Sequence, residues 1–145
     1  MPDFQITQEE AERFLKEEKY RIDDREYVLF ESDRMLHIPL KDKAHGTDFI
    51  LDIRRGKIAL KKNTFQTRVK KEIILARLDL GGPPHRNPDG EEFPCPHLHL
   101  YRENFGDGWA YPLSSHFTNP DDVWLTLEEF MDYCNIIEKP RIRRT

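Results

Sequence analysis

Cysteine is nearly absent. Cys95 and Cys134 are the two in 145 residues, too few for the disulfide framework on which small secreted domains rely. They lie far apart, and the favoured reading is two free thiols in a reducing cytosol, with a disulfide left open. Long apolar runs are also missing. A membrane helix needs about 20 such residues, and the stretches here span only a few, so no membrane partner is expected. The opening Met1-Pro2-Asp3-Phe4-Gln5 has no basic segment followed by an apolar one, so no secretory leader is read there and a cytoplasmic setting is expected. Repeats and low-complexity tracts are lacking too.

What remains has a globular composition, 37% hydrophobic and 34% charged. The length suits one domain, residues 1–145, large enough to bury a core without staples. The net charge of −4 conceals an uneven distribution. No acidic residue occurs from Ile53 to Lys71, a stretch holding Arg54, Arg55, Lys57, Lys61, Lys62, Arg68, Lys70 and Lys71. Such a patch steers anionic partners, or it is a solvated row that protects a sheet edge. The first 26 residues are acidic instead.

Thr7-Gln8-Glu9-Glu10 has the spacing of a capping box. Ala11, Phe14 and Leu15 follow at helical spacing, which predicts a helix from about Gln8 to Lys19. Short β-rich segments come next, at 26–30, 35–40 and 49–53. Arg55-Gly56 is read as a tight reversal, with Lys57 to Leu60 returning as a hairpin partner. Thr64 to Val69 is a polar strand, and Ile73 to Leu80 is the strongest apolar run. Residues 81–90, punctuated by Gly and Pro, form a long loop of the kind that often carries function. His97 to Glu103 and Trp109 to Leu113 are further strands. Asn119-Pro120-Asp121-Asp122 opens a final helical region, Thr126 to Glu129 offers a second capping box, and the helix ends near Asn135. The expected architecture is α+β: a twisted antiparallel sheet of about six strands with an N-terminal and a C-terminal helix.

Alternation along a strand places His97, His99 and Tyr101 on one face and Leu98 and Leu100 on the other. Arg77 and Asp79 are unusual in an apolar run, because a buried charge needs a partner or a cleft. If their strand pairs with the His97 strand, Arg77 and Asp79 meet the histidine face, and His85 comes over it from the loop. The register is not fixed by the sequence.

Three chemistries fit. In the leading one, RNA is bound and cleaved without a metal or other cofactor. His97 and His99 share acid–base work, Arg77 holds phosphate, Tyr101 orients the scissile group and His85 assists. Arg54, Arg55, Lys57, Lys61, Lys62 and Arg68 would track the nucleic acid backbone, and Tyr101, Trp109 or Phe65 would stack on bases. The second is a non-catalytic module that binds a cognate protein, such as an antitoxin, an inhibitor or a phage regulatory protein. The third is a metal site on the His-x-His pair, with His85, His116, Asp79 or Glu103 as a further ligand. The bland reading leaves both histidines as polar strand residues. His37, His45 and Cys134 are read as structural.

Five strings carry a family likeness: Arg77-Leu78-Asp79, the run Pro84 to Gly90, His97 to Glu103, Trp109 to Leu113, and Phe130 to Ile136. Together they resemble a family of small uncharacterised bacterial and phage-associated proteins. The resemblance implies a setting among mobile elements and toxin–antitoxin-like defence genes, and it assigns no cofactor or catalytic residue.

Overall fold

The computed structural model describes residues 5–29, 35–56 and 62–144. Helix α1 (Gln8–Lys16) opens with the expected capping box: Thr7 accepts from the Glu10 amide, and the Glu10 side chain accepts from the Thr7 amide. The helix stops three residues before its expected end, because Lys19 is needed elsewhere. Lys19 is fully buried, and its ammonium donates to the carbonyls of Leu15, Glu17 and Cys134 at 2.8–3.0 Å. One cation thereby satisfies orphan carbonyls at the ends of both helices.

The main sheet has eight strands: β1 (Lys19–Arg21), β3 (Met35–Asp42), β4 (Asp48–Arg55), β5 (Asn63–Val69), β6 (Ile73–Asp79), β9 (His97–Leu100), β10 (Ala110–Pro112) and β11 (Ile136–Glu138). Their order is β10-β9-β6-β5-β4-β3-β1-β11. All neighbours run antiparallel except β1 and β11, which are parallel. Two small sheets accompany it. One pairs β2 (Glu26–Leu29) with β12 (Arg141–Arg144) in parallel, and the other pairs β7 (His85–Arg86) with β8 (Glu92–Phe93) inside the Gly-Pro loop.

The expectation of about six antiparallel strands with flanking helices is therefore corrected to an eight-stranded mixed sheet in a mainly β protein. The additional edge pairing joins segments more than a hundred residues apart, which local patterning does not reveal. Nor do the helices flank the sheet. Phe14 of α1 packs edge-on against Phe49, and Phe130 of α2 (Val123–Tyr133) packs against Phe65, each with ring centroids 6.1 Å apart. Phe49 and Phe65 belong to the same face, since both alternate with Asp52 and Gln66 in paired strands. Both helices thus cover one side of the sheet. The N-cap of α2 is Asp122, which accepts from the Leu125 amide. Thr126 lies inside the helix, where its hydroxyl donates to the Asp122 carbonyl at 2.7 Å, so it caps nothing.

The partner of β4 is β5, with Arg55 opposite Asn63. The hairpin return expected at Lys57 to Leu60 lies outside the described residues. The register between β5 and β6 slips at Thr67/Arg68. That bulge changes which face the start of β6 presents. Ile73 and Leu75 are buried together with Ala76 and Leu78, so one-in, one-out alternation holds only from Ala76 onward. Among the described residues, no helix is long and apolar enough to cross a membrane, and Cys95 and Cys134 are free thiols.

Candidate functional site

Strands β6 and β9 pair so that Leu78 lies opposite Leu98 and Ala76 opposite Leu100, all on the core face. The intervening residues must then point the other way. Arg77 is opposite His99, and Asp79 is opposite His97. An open sheet face would leave these side chains in water, yet His97 is 2% and His99 0% exposed. Two segments close over them. The loop after β6 is pinned by Asn87, whose side-chain amide exchanges two hydrogen bonds with the Ala110 backbone at 2.8–2.9 Å. This brings the His85 ring to 4.6 Å from that of His99 and 6.0 Å from that of His97. The turn after β9 supplies Asp107, whose carboxylate pairs with Arg77 and whose carbonyl accepts from His99.

Backbone carbonyls set the tautomers. His97 Nδ1 lies 3.2 Å from the Pro94 oxygen, and His99 Nδ1 lies 2.8 Å from the Asp107 oxygen. A carbonyl oxygen only accepts, so each Nδ1 carries hydrogen. Both Nε2 atoms then face Asp79 Oδ2, each at 3.2 Å. Arg77 Nη2 also reaches His99 Nε2 at 3.1 Å, and Arg77 Nε lies 3.4 Å from Asp79 Oδ2. Burial opposes the Asp79 charge, but the contacts with His99 and Arg77 outweigh it and hold the carboxyl at about 2. Burial also pushes the His97 imidazole below its ordinary range, favouring the neutral ring.

The polar face continues across the sheet. His37, Asp52, Gln66, Arg77 and His99 occupy mutually opposite positions on β3, β4, β5, β6 and β9. Asp52 accepts from Arg68 at 2.6 and 2.9 Å and from Gln66 at 2.7 Å, and pairs with His37 at 2.6 Å. Met35, Asp52, Arg54, Thr64, Gln66, Arg77 and Asp79 line an open pocket of about 240 Å³. Arg77 and Asp79 are therefore the groups through which the buried imidazoles meet the outside.

Sequence reasoning missed Asp52 and Asp107. Asp52 carried a usable signal, a carboxylate inside an apolar strand, which is the same signal that singled out Arg77 and Asp79. His37, read as filler, joins the polar row.

Tyr101 does not join the histidines. Regular strand ends at Leu100, and Tyr101 turns into the core, where its hydroxyl donates to the Ile6 carbonyl at 2.6 Å and accepts from the Ile6 amide at 3.1 Å. Glu103 accepts from the Gln8 amide at 2.7 Å. The second half of the His97–Glu103 string therefore anchors the start of α1. Phe65 is buried in the core, Trp109 is half-buried beneath Arg102 at 4.0 Å, and His116 bonds the Glu129 carbonyl of α2. Of the expected backbone-tracking residues, Arg54 and Lys62 are exposed and Arg55 half-buried. Arg68 is spent on Asp52, and Lys57 and Lys61 lie outside the described residues.

The chain belongs to a family of unknown function (DUF6978), whose model matches residues 6–136 and so spans the whole polar face. No curated protein and no solved structure gives a match.

Proposed function

We propose that this family member binds RNA on the polar face of its sheet and cleaves it at the centre formed by Arg77, Asp79, His85, His97 and His99. The observation that carries the reading is the β6–β9 register, which sets Arg77 and Asp79 opposite the two strand histidines, with His85 folded over them. Strand cleavage by the neighbouring 2′-hydroxyl needs a proton acceptor, a proton donor for the leaving oxygen, and a cation on the phosphate. Arg77 presents the fork suited to phosphate, and it lines the open pocket. Arg54 on the same rim and exposed Lys62 supply positive charge along the strand's path. Imidazoles suit the proton transfers near neutral pH. His85, half-buried, is the one with an open side.

The burial of His97 and His99 changes the division of labour expected from the sequence. At 2% and 0% exposure they work from behind Asp79 and Arg77 and do not meet a ribose directly. The test is incubation of the purified protein with an oligoribonucleotide and its deoxy counterpart, in chelator and with added divalent metals. Cleavage of the RNA alone, lost in His85→Ala and His99→Ala, is the expected result. Intact RNA under every condition, or unchanged cleavage by both variants, refutes the reading.

One observation favours a second reading, a module that binds RNA or a protein without turnover. Arg77 is already neutralised by Asp79 and Asp107, as in a charge network that shapes a surface. Salt-sensitive RNA binding with no product favours that alternative.

A further inference from the structure

We infer that Asp79, His97 and His99 form a binding site for a zinc-type divalent cation, with Asp79 Oδ2 and the two Nε2 atoms as ligands. The donor atoms of the three residues all lie within 4.8 Å of one another. Asp79 Oδ2 is 3.2 Å from each Nε2. A tetrahedral ion with bonds of about 2.0–2.1 Å sets its ligand atoms roughly 3.3 Å apart, which both carboxylate–imidazole distances match. Zinc accepts this mixture of imidazole nitrogen and carboxylate oxygen.

The hydrogen bonds around the cluster point the same way. Both Nδ1 atoms donate to backbone carbonyls, of Pro94 and Asp107, which turns both Nε2 atoms inward to Asp79 Oδ2. A carbonyl holding the far nitrogen is the usual support of a metal-bound histidine. The other Asp79 oxygen accepts from the Thr64 hydroxyl at 3.1 Å, so Oδ2 is the oxygen turned to the histidines. Three possible ligand atoms thus converge. Arg77 lies beside them, with Nε 3.4 Å from Asp79 Oδ2 and Nη2 3.1 Å from His99 Nε2. An arriving ion displaces that contact, and the guanidinium keeps its pairing with Asp107.

The fourth position falls to His85 or a water, since the His85 ring packs against both histidine rings. His85 Nε2 donates to the Gly108 carbonyl at 2.8 Å, which leaves Nδ1 as the ring nitrogen available to a ligand. Three protein ligands with an accessible fourth position is the pattern of a reactive metal site, whereas structural sites are closed by four protein ligands.

The inference goes beyond RNA cleavage and is tested without RNA. Untagged protein is stripped with chelator, and Zn²⁺ is titrated calorimetrically, with Co²⁺ followed by its visible spectrum. The expected result is one ion per chain and a four-coordinate Co²⁺ spectrum. Asp79→Asn and His97→Gln, confirmed folded by circular dichroism, are expected to bind at least about tenfold more weakly. His45→Ala is the control, because Glu17, Asp42 and His45 form a second cluster of possible ligands. Loss of uptake in that variant, unchanged uptake in the other two, or no stoichiometric uptake by wild type overturns the proposal. If the ligand variants do not fold, histidine side-chain NMR of the wild type decides. Zn²⁺ is expected to shift the His97 and His99 Nε2 resonances, and unmoved resonances reject the site.

Discussion

Arg77 and His99 face each other across β6 and β9, with the guanidinium Nη2 3.1 Å from the imidazole Nε2. The pairing register, together with two covering segments, creates that contact. It places a permanent cation at the boundary between a buried cluster of imidazoles and an open polar pocket. The consequences can be measured.

Replacing Arg77 with Lys keeps the charge and removes the planar fork. A charge-assisted hydrogen bond contributes about 1.5–3 kcal/mol, so RNA cleavage is expected to fall roughly tenfold to a hundredfold. A variant that cleaves at the wild-type rate would remove Arg77 from the account.

Tyr101 acts on stability. Its hydroxyl makes two bonds to Ile6, and Tyr101→Phe is expected to cost about 1–2 kcal/mol in denaturant unfolding. Cleavage at temperatures where the variant stays folded is expected to be unchanged. A large loss of activity in a folded Tyr101→Phe protein would return Tyr101 to the site.

Asp52 gives the protein acid sensitivity. Burial raises its pKa, but hydrogen bonds from Arg68, Gln66 and His37 more than offset this and hold it below 3.8. A carboxyl lowered on folding stabilises the protein above its unfolded pKa, and that stabilisation is lost as pH falls through the folded value. Asp52→Asn is therefore expected to be less stable by about 1–3 kcal/mol at pH 7. The gap should narrow once the pH drops below about 4. Unfolding curves at pH 7 and pH 3 measure both, and a constant gap would contradict the assignment.

Lys19 ties the two helices together. Burial pulls its pKa down to about 8, yet all three ammonium hydrogens find carbonyls. Lys19→Met leaves those carbonyls without their donor and is expected to cost about 2–4 kcal/mol. A neutral effect on the melting temperature would show that the contact contributes nothing.

Much of this architecture follows local rules that a sequence displays. The Thr7–Glu10 box and the leucine alternation of His97 to Leu100 are readable, because capping and strand pleat act over a few residues. The convergence of Arg77 with His99 was expected in kind but not in register, since the register of β6 on β9 is set by packing of the buried face. Tyr101 was misplaced because alternation ends when the strand does. The β1–β11 edge was invisible, since three-residue strands paired across the chain leave no periodic trace. Covering of the histidines was equally hidden. It arises from Asn87 grasping the Ala110 backbone, a contact between the Gly-Pro loop and strand β10.

The central claim is that RNA contacts this one face. The most direct measurement is amide and side-chain NMR of the protein titrated with a 2′-O-methyl oligoribonucleotide, which cannot be cleaved through its 2′ position. The largest shifts are expected at Arg54, Gln66, Arg77, Asp79 and His85, weakening as salt is raised. Shifts confined to the helical side, or none at saturating RNA, would contradict it.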